Sequence, residues 1–168
     1  MTQRPTPPRP PIPRPLEHVA AYPRPPRLEP SDRLVRILLG GETIAETRHA
    51  WRVLETFHPP SWYLPPAAFR SGVLRPAPGG SLCEWKGRAR YWTLAAGGVV
   101  AEAAGWSYPD PSPAFADLQD HIAVYAGRME ACFVDGERVV PQPGGFYGGW
   151  ITAELIGPFK GGPGTLGW

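Results

Sequence analysis

The 168-residue chain contains only two cysteines, Cys83 and Cys132. They form no CxxC pair, and two thiolates are half of an all-cysteine zinc site, so neither a structural zinc nor a disulfide framework is expected. Nothing in that count calls for an oxidising compartment. Long apolar runs are also missing. No segment approaches eighteen apolar residues, and the first residues lack the apolar stretch of a signal peptide. No membrane partner is expected, and the expected location is cytoplasmic. An excess of one charge is absent as well: a net charge of +2 does not point to nucleic acid.

Proline and glycine, by contrast, are abundant, at 24 and 20 residues, above ordinary usage. Their placement divides the chain. From M-T-Q-R-P-T-P-P-R-P-P-I-P-R-P to Pro30, proline and arginine dominate. Locked φ angles and missing amide donors exclude helix and central strand there, leaving a basic, polyproline-like tail over residues 1–30. Its PxxP-like pattern also fits a ligand for a proline-binding module. Residues 21–30 differ, because Tyr22 and Leu28 offer anchors, and they are expected to dock on the domain. About 140 residues of patterned sequence can bury about two-thirds of their unfolded surface. They read as a core domain over 31–140 and a Gly/aromatic-rich strap over 141–168.

Three hairpins set the fold class. V-R-I-L-L and T-I-A-E-T flank Gly40-Gly41, A-R-Y-W-T-L-A and V-V-A-E-A flank Gly97-Gly98, and A-C-F-V and E-R-V-V flank Asp135-Gly136. Each has the turn chemistry of a tight antiparallel connection. Trp51–Thr56, Trp62–Leu64 and His121–Tyr125 read as further short strands, with prolines interrupting the ladder around Trp62. One short helix is predicted over Ala114–Asp120, with Ser112 as N-cap and Pro113 at its first position. The pattern predicts an all-β, mainly antiparallel sandwich or pseudo-barrel of two sheets. Leu38–Glu46 and Leu94–Glu102 are faintly alike, and a tryptophan follows each (Trp51, Trp106). That likeness fits two hairpins in equivalent places of facing sheets.

Several phrases carry a family likeness: Leu39–Thr47, L-E-T-F-H-P-P-S-W-Y-L-P (Leu54–Pro65), C-E-W-K-G-R-A-R-Y-W (Cys83–Trp92) and A-G-W-S-Y-P-D-P (Ala104–Pro111). The segment Y-P-R-P-P-R-L-E-P and the glycine-rich end P-Q-P-G-G-F-Y-G-G-W-I-T belong with them. With these, the sequence resembles the bacterial domain-of-unknown-function family 427 over nearly everything after about Ala21. The resemblance implies a β-tent, Mss4-like fold: two antiparallel sheets meeting at an angle and open at one side, a ligand site in some relatives. Relatives often hold a zinc on paired CxxC knuckles, which this sequence lacks. The family also carries a nucleotidyltransferase label. That chemistry bridges Mg²⁺ between carboxylates and phosphates and usually shows Gly-Ser followed by D-x-D. Here Gly80-Ser81 is followed by Leu82-Cys83-Glu84-Trp85.

Candidate chemistry lies in few places. Cys83 with His121 or His58 has the residue types of a nucleophile and base, although a strand cysteine in apolar surroundings is more often an inert thiol. Glu102, Asp110 and Asp120 are the acids best placed for proton transfer, while Asp117 and Asp120 share a face of the predicted helix as solvated residues. G-P-F-K-G-G-P-G-T (Gly157–Thr165) is no phosphate loop, since its lysine precedes the glycines and no helix follows. The aromatic set Trp85, Tyr91, Trp106 and Tyr108, with Lys86 and His121, remains. Alternation puts Cys83 and Trp85 on one face unless Gly87 marks a bulge. Rings with polar tips beside a lysine suit a pocket for a planar or anionic small molecule, with no cofactor. The enzymatic alternative assigns Lys86, His121 and Asp110 as acid–base groups of the same pocket, and ordinary hydrophobic core is the third reading.

Overall fold

The computed structural model describes residues 14–168. The tail expected at the start of the chain falls, over residues 1–13, outside the described residues. In chain order the strands are β1 (Glu17–His18), β2 (Arg27–Ser31), β3 (Val35–Leu39), β4 (Glu42–Thr47), β5 (Ala50–Leu54) and β6 (Ser61–Tyr63). Then follow β7 (Leu74–Cys83), β8 (Gly87–Ala96), β9 (Val99–Ser107), β10 (Ala123–Val124), β11 (Ala131–Val134) and β12 (Glu137–Arg138). The strap adds β13 (Val140–Pro141), β14 (Trp150–Ile151) and β15 (Leu155–Ile156).

The protein is all-β. Two four-stranded sheets, β10-β9-β8-β7 and β12-β11-β3-β4, stand with a three-stranded sheet β2-β5-β6 and the ribbons β13-β14 and β1-β15. Pairing between strands is antiparallel except in the β1–β15 ribbon. An isolated bridge between Leu64 and Ile122 joins the ends of β6 and β10. All three glycine-type turns form as read: Gly40-Gly41, Gly97-Gly98 and Asp135-Gly136 each hold positive φ at both positions, the backbone that matches the twist of the strands they join. The first two turns touch. A Cβ on Gly97 would stand 1.9 Å from the Gly40 carbonyl oxygen, and one on Gly40 would stand 2.1 Å from the Ala96 carbonyl oxygen. The two similar hairpins therefore meet tip to tip, an approach that side chains would block.

β7 escapes the sequence pattern because it contains Pro76, Pro78, Gly79 and Gly80. It is an edge strand, where missing amide donors cost least, and its pairing with β8 is interrupted between Pro76 and Gly80. The predicted helix is a 3-10 segment, Pro113–Leu118, and Ser112 makes no side-chain cap bond. The segment is kinked at Phe115, whose backbone is not helical, and Phe115 and Leu118 are both buried.

Two apolar clusters flank β6 and β10. Trp62, Leu64, Ile122 and Val124 belong to the larger one, together with β3, β4 and β11 residues such as Ile37, Ile44 and Cys132. The alternating neighbours Tyr63 and Ala123 belong to the smaller, with Val53, Trp106, Tyr108, Phe115 and Leu118. Period-two alternation thus sends one face of these strands to the main core and the other to the second cluster.

Contact begins before residue 21. Glu17 pairs opposite Leu155, and Val19 is fully buried. β2 lies along β5 from Arg27↔Leu54 to Ser31↔Ala50. Across this seam the buried Arg52 guanidinium donates to Glu29 at 2.7 and 3.2 Å and to Glu17 at 3.3 Å twice. Tyr22 donates to Glu17 at 2.7 Å, and Arg33 pairs with Glu154 of the strap. One ionic group therefore ties the first segment, β2, β5 and the strap together.

Candidate functional site

Between the second cluster and the strap lies a cavity of about 230 Å³. Its aromatic wall comes from β6 and the end of β9. Tyr63, Trp106 and Tyr108 all line it and are buried. The Trp106 indole N–H donates to the Tyr63 hydroxyl at 3.1 Å, with the rings at 89° and 6.2 Å between centroids. β9 ends at Ser107, and the chain is then held by the Asp120 N–H on the Tyr108 carbonyl at 3.2 Å. Burial, with Tyr63 and Cys83 adjacent, pushes the Tyr108 hydroxyl far above the usual tyrosine range. It remains a neutral phenol.

Lys86 enters from the turn between β7 and β8. Cys83 pairs with Gly87, so Glu84, Trp85 and Lys86 form the turn, and Gly87 at φ 107° opens β8. This corrects the expected strand alternation through Cys83–Lys86: a three-residue turn, and not a bulge in a continuous strand, aims the lysine. The turn is fixed from behind by the Ser112 N–H on the Lys86 carbonyl at 3.0 Å. The ammonium stands 5.8 Å from the Tyr108 ring centroid. Burial works against its charge, yet Tyr63, Cys83 and Glu55 outweigh that cost, and its pKa is raised. Lys86 therefore stays charged at neutral pH. Among the described residues it makes no ion pair with a carboxylate. Glu55, the acid in the lining, is engaged by Arg24 and His58, each at 3.4 Å.

The opposite side carries an imidazole whose tautomer can be deduced. Gln142 Oε1 accepts from the Gly149 N–H at 3.0 Å, so its Nε2 is the donor, to the Lys160 carbonyl at 2.8 Å and to His58 Nδ1 at 3.0 Å. His58 Nδ1 is then an acceptor, and the ring proton sits on Nε2, toward Glu55. Burial lowers the His58 pKa, helped by the charges of Lys160, Arg24 and Lys86 and opposed by Glu55. The result is a neutral ring of fixed orientation. The strap closes the remaining side. A Cβ on Gly148 would stand 2.2 Å from the Trp106 ring, so only glycine lets the strap lie this close. Tyr147 meets His58 edge-on at 4.8 Å, and the Tyr125 hydroxyl donates to the Phe146 carbonyl at 3.2 Å.

Of the residues singled out from sequence, Lys86, Tyr91, Trp106 and Tyr108 line this one cavity. Trp85 does not line it: held in the turn, it packs on the second cluster from outside. His121 is also outside, with Nδ1 against the Gln119 carbonyl at 3.1 Å. Asp110 is exposed and backs the turn, its carbonyl 3.3 Å from where a Gly87 Cβ would stand. Lys86, His121 and Asp110 thus do not converge. Glu102, Asp117 and Asp120 are exposed. Cys83 and His58 both border the cavity, whereas burial pushes the Cys132 thiol well up. Sequence reasoning missed Tyr63, Glu55 and Gln142. The first two lie in segments read as short strands, Trp51–Thr56 and Trp62–Leu64, and local pattern does not tell which cavity a strand's face meets.

A larger groove of about 410 Å³ adjoins the cavity and shares Tyr91, Tyr125, Gln142, Tyr147 and Gly148 with it. Its own cation, Arg128, donates to the Glu102 carbonyl at 2.9 Å, so the smaller cavity has the more available charge. Among the described residues no three His, Cys, Asp or Glu side chains group as a metal site, and no helix is long and apolar enough to cross a membrane. The profile of a family described as Domain of unknown function (DUF427), short name NTP_transf_9, matches residues 27–135. That span includes Glu55, His58, Tyr63, Lys86, Trp106 and Tyr108, and stops short of the strap. No curated protein matches the chain.

Proposed function

We propose that this chain, which belongs to the domain-of-unknown-function 427 family, binds a small planar anion in the cavity between its second apolar cluster and its strap. The observation that carries the reading is Lys86: a charged, half-buried ammonium beside Tyr108 with no carboxylate partner among the described residues. Lysine acts as a point charge and takes a carboxylate or phosphate oxygen without bidentate geometry. Tyr91, Trp106 and Tyr108 supply ring faces and edges for a flat body. The neutral His58 leaves Lys86 as the positive charge of the lining. At about 230 Å³ the cavity is below the range of about 300–1,000 Å³ typical of drug-sized ligands, so the enclosed part of the ligand is small.

The enzymatic alternative, acid–base or nucleotidyl-transfer chemistry in the same cavity, has less support. Lys86 stands there without His121 or Asp110, and Glu55 is the one acid among the described lining residues. A thermal-shift comparison of benzoate with benzamide, on wild type and Lys86→Met, tests the proposal. Ligand that binds only the folded state raises the melting temperature. Benzoate should raise it in wild type alone, and benzamide should do so in neither. Equal shifts with the acid and the amide would remove the charge from the account.

A further inference from the structure

We infer that the ligand is amphipathic: its anionic planar head lies at Lys86, and an apolar tail leaves through a rim made by Leu82 and Phe146. The inference rests on the proposed anion site and deepens it. Both rim residues line the cavity, yet they are 74% and 77% exposed. Single exposed apolar residues are ordinary, but these two line the same cavity as Lys86. Neither is a loose end. Leu82 is paired opposite Arg88 in the β7–β8 ladder. Phe146 is held through its carbonyl by Tyr125 at 3.2 Å and meets Tyr147 edge-on at 4.9 Å. The backbone thus fixes both side chains toward water at the mouth, where a tail crossing between them would bury them.

Charge orders the two ends. The ammonium stands beside the buried Tyr108, and the apolar side chains stand at the exposed edge, so a carboxylate enters first and the tail trails. The class of ligand is therefore an aryl or similarly flat carboxylate bearing an alkyl chain remote from the acid.

Calorimetric titration of the whole protein with benzoate and its 4-methyl, 4-ethyl and 4-butyl homologues tests this. Full burial of one methylene corresponds to about fourfold in affinity, so partial cover at the rim should give about two- to fourfold per added carbon. In the double variant Leu82→Ser/Phe146→Ser, the gain in affinity from benzoate to its 4-butyl homologue should disappear. Both positions are exposed, so folding should be preserved. Benzoate binding with no dependence on chain length would overturn the amphipathic assignment and leave the anion site standing. Failure of every homologue to bind would overturn both. A chain-length gain that survives in the double variant would place the tail elsewhere and contradict the rim.

Discussion

Replacing Trp106 with alanine separates a cavity wall from solid core, because Trp62 provides an internal standard. Trp62 is 2% exposed, belongs to the main core and stacks on Trp150 at 6.2 Å. Its truncation should cost the full transfer and cavity terms, about 3–5 kcal/mol. Trp106 is nearly as buried, at 8%, but borders a cavity of about 230 Å³ with polar atoms from Tyr63, Lys86 and His58, a setting that holds water. Removing its indole enlarges a wet space instead of opening a dry one. The expected loss is about 2–3 kcal/mol, of which about 1 kcal/mol is the hydrogen bond to Tyr63. Trp106→Phe keeps a ring and should lose only about that last part. Urea unfolding followed by circular dichroism gives these differences if the m-value is unchanged. In parallel, Trp106→Ala should lose benzoate binding. If Trp106→Ala proves as costly as Trp62→Ala, the indole is ordinary core and the cavity is closed to solvent.

Three further outcomes follow from the same structure. Arg52→Met leaves Glu17 and Glu29, with side chains 24% and 35% exposed, able to turn to water, and should cost about 1–3 kcal/mol; Glu17→Gln/Glu29→Gln strands a guanidinium only 7% exposed and should cost about 3–5 kcal/mol. Urea unfolding checks the order, and the reverse order would contradict it. The His58 pKa is lowered in the fold by burial and neighbouring cations, so the unfolded chain takes up that proton first, at about 6.5; this share of stability is complete above that pH and is lost as pH falls toward the folded value. His58→Gln should flatten the decline in unfolding free energy from pH 7 to 5.5, and an unchanged profile would speak against the deduced neutral ring. Cys132 should resist Ellman's reagent until the protein unfolds, while Cys83 reacts in the native state and is slowed by benzoate. Equal native rates for the two thiols would be inconsistent with their placement.

Much of the fold is visible in local chemistry. The Gly40-Gly41, Gly97-Gly98 and Asp135-Gly136 turns need positive φ, and the alternating strands around them follow, so hairpins could be read directly. β7 could not be read this way, because its prolines are tolerated only by its edge position, a tertiary fact. The same limit governs the site. Tyr91, Trp106 and Tyr108 were legible because they lie on a hairpin and its continuation, where register decides who is next to whom. Strand alternation misplaces Trp85, because Cys83 and Gly87 close a turn there and the ring packs on the second cluster from outside, whereas Lys86 of the same turn lines the cavity. Glu55 and Tyr63 lie close together in sequence, but Gln142 comes from the strap, and the rings they face come from β9. They meet only because β6 joins β10 at Leu64–Ile122 and the strap presses Gly148 on Trp106. The brace from Glu17 to Arg52 was hidden for a similar reason, since the proline-rich surroundings of Glu17 look like tail.

The measurement that bears most directly on the proposed site is a benzoate titration followed by the tryptophan indole N–H signals in a ¹H–¹⁵N spectrum. The Trp106 indole, hydrogen-bonded to Tyr63 at 3.1 Å and bordering the cavity, should shift progressively and saturably. The Trp62 and Trp150 indoles, 2% and 1% exposed in the main core, should stay in place, and Lys86→Met should abolish the Trp106 shift. A Trp106 signal unmoved at saturating benzoate, or one that moves equally in Lys86→Met, would contradict an anion site at Lys86.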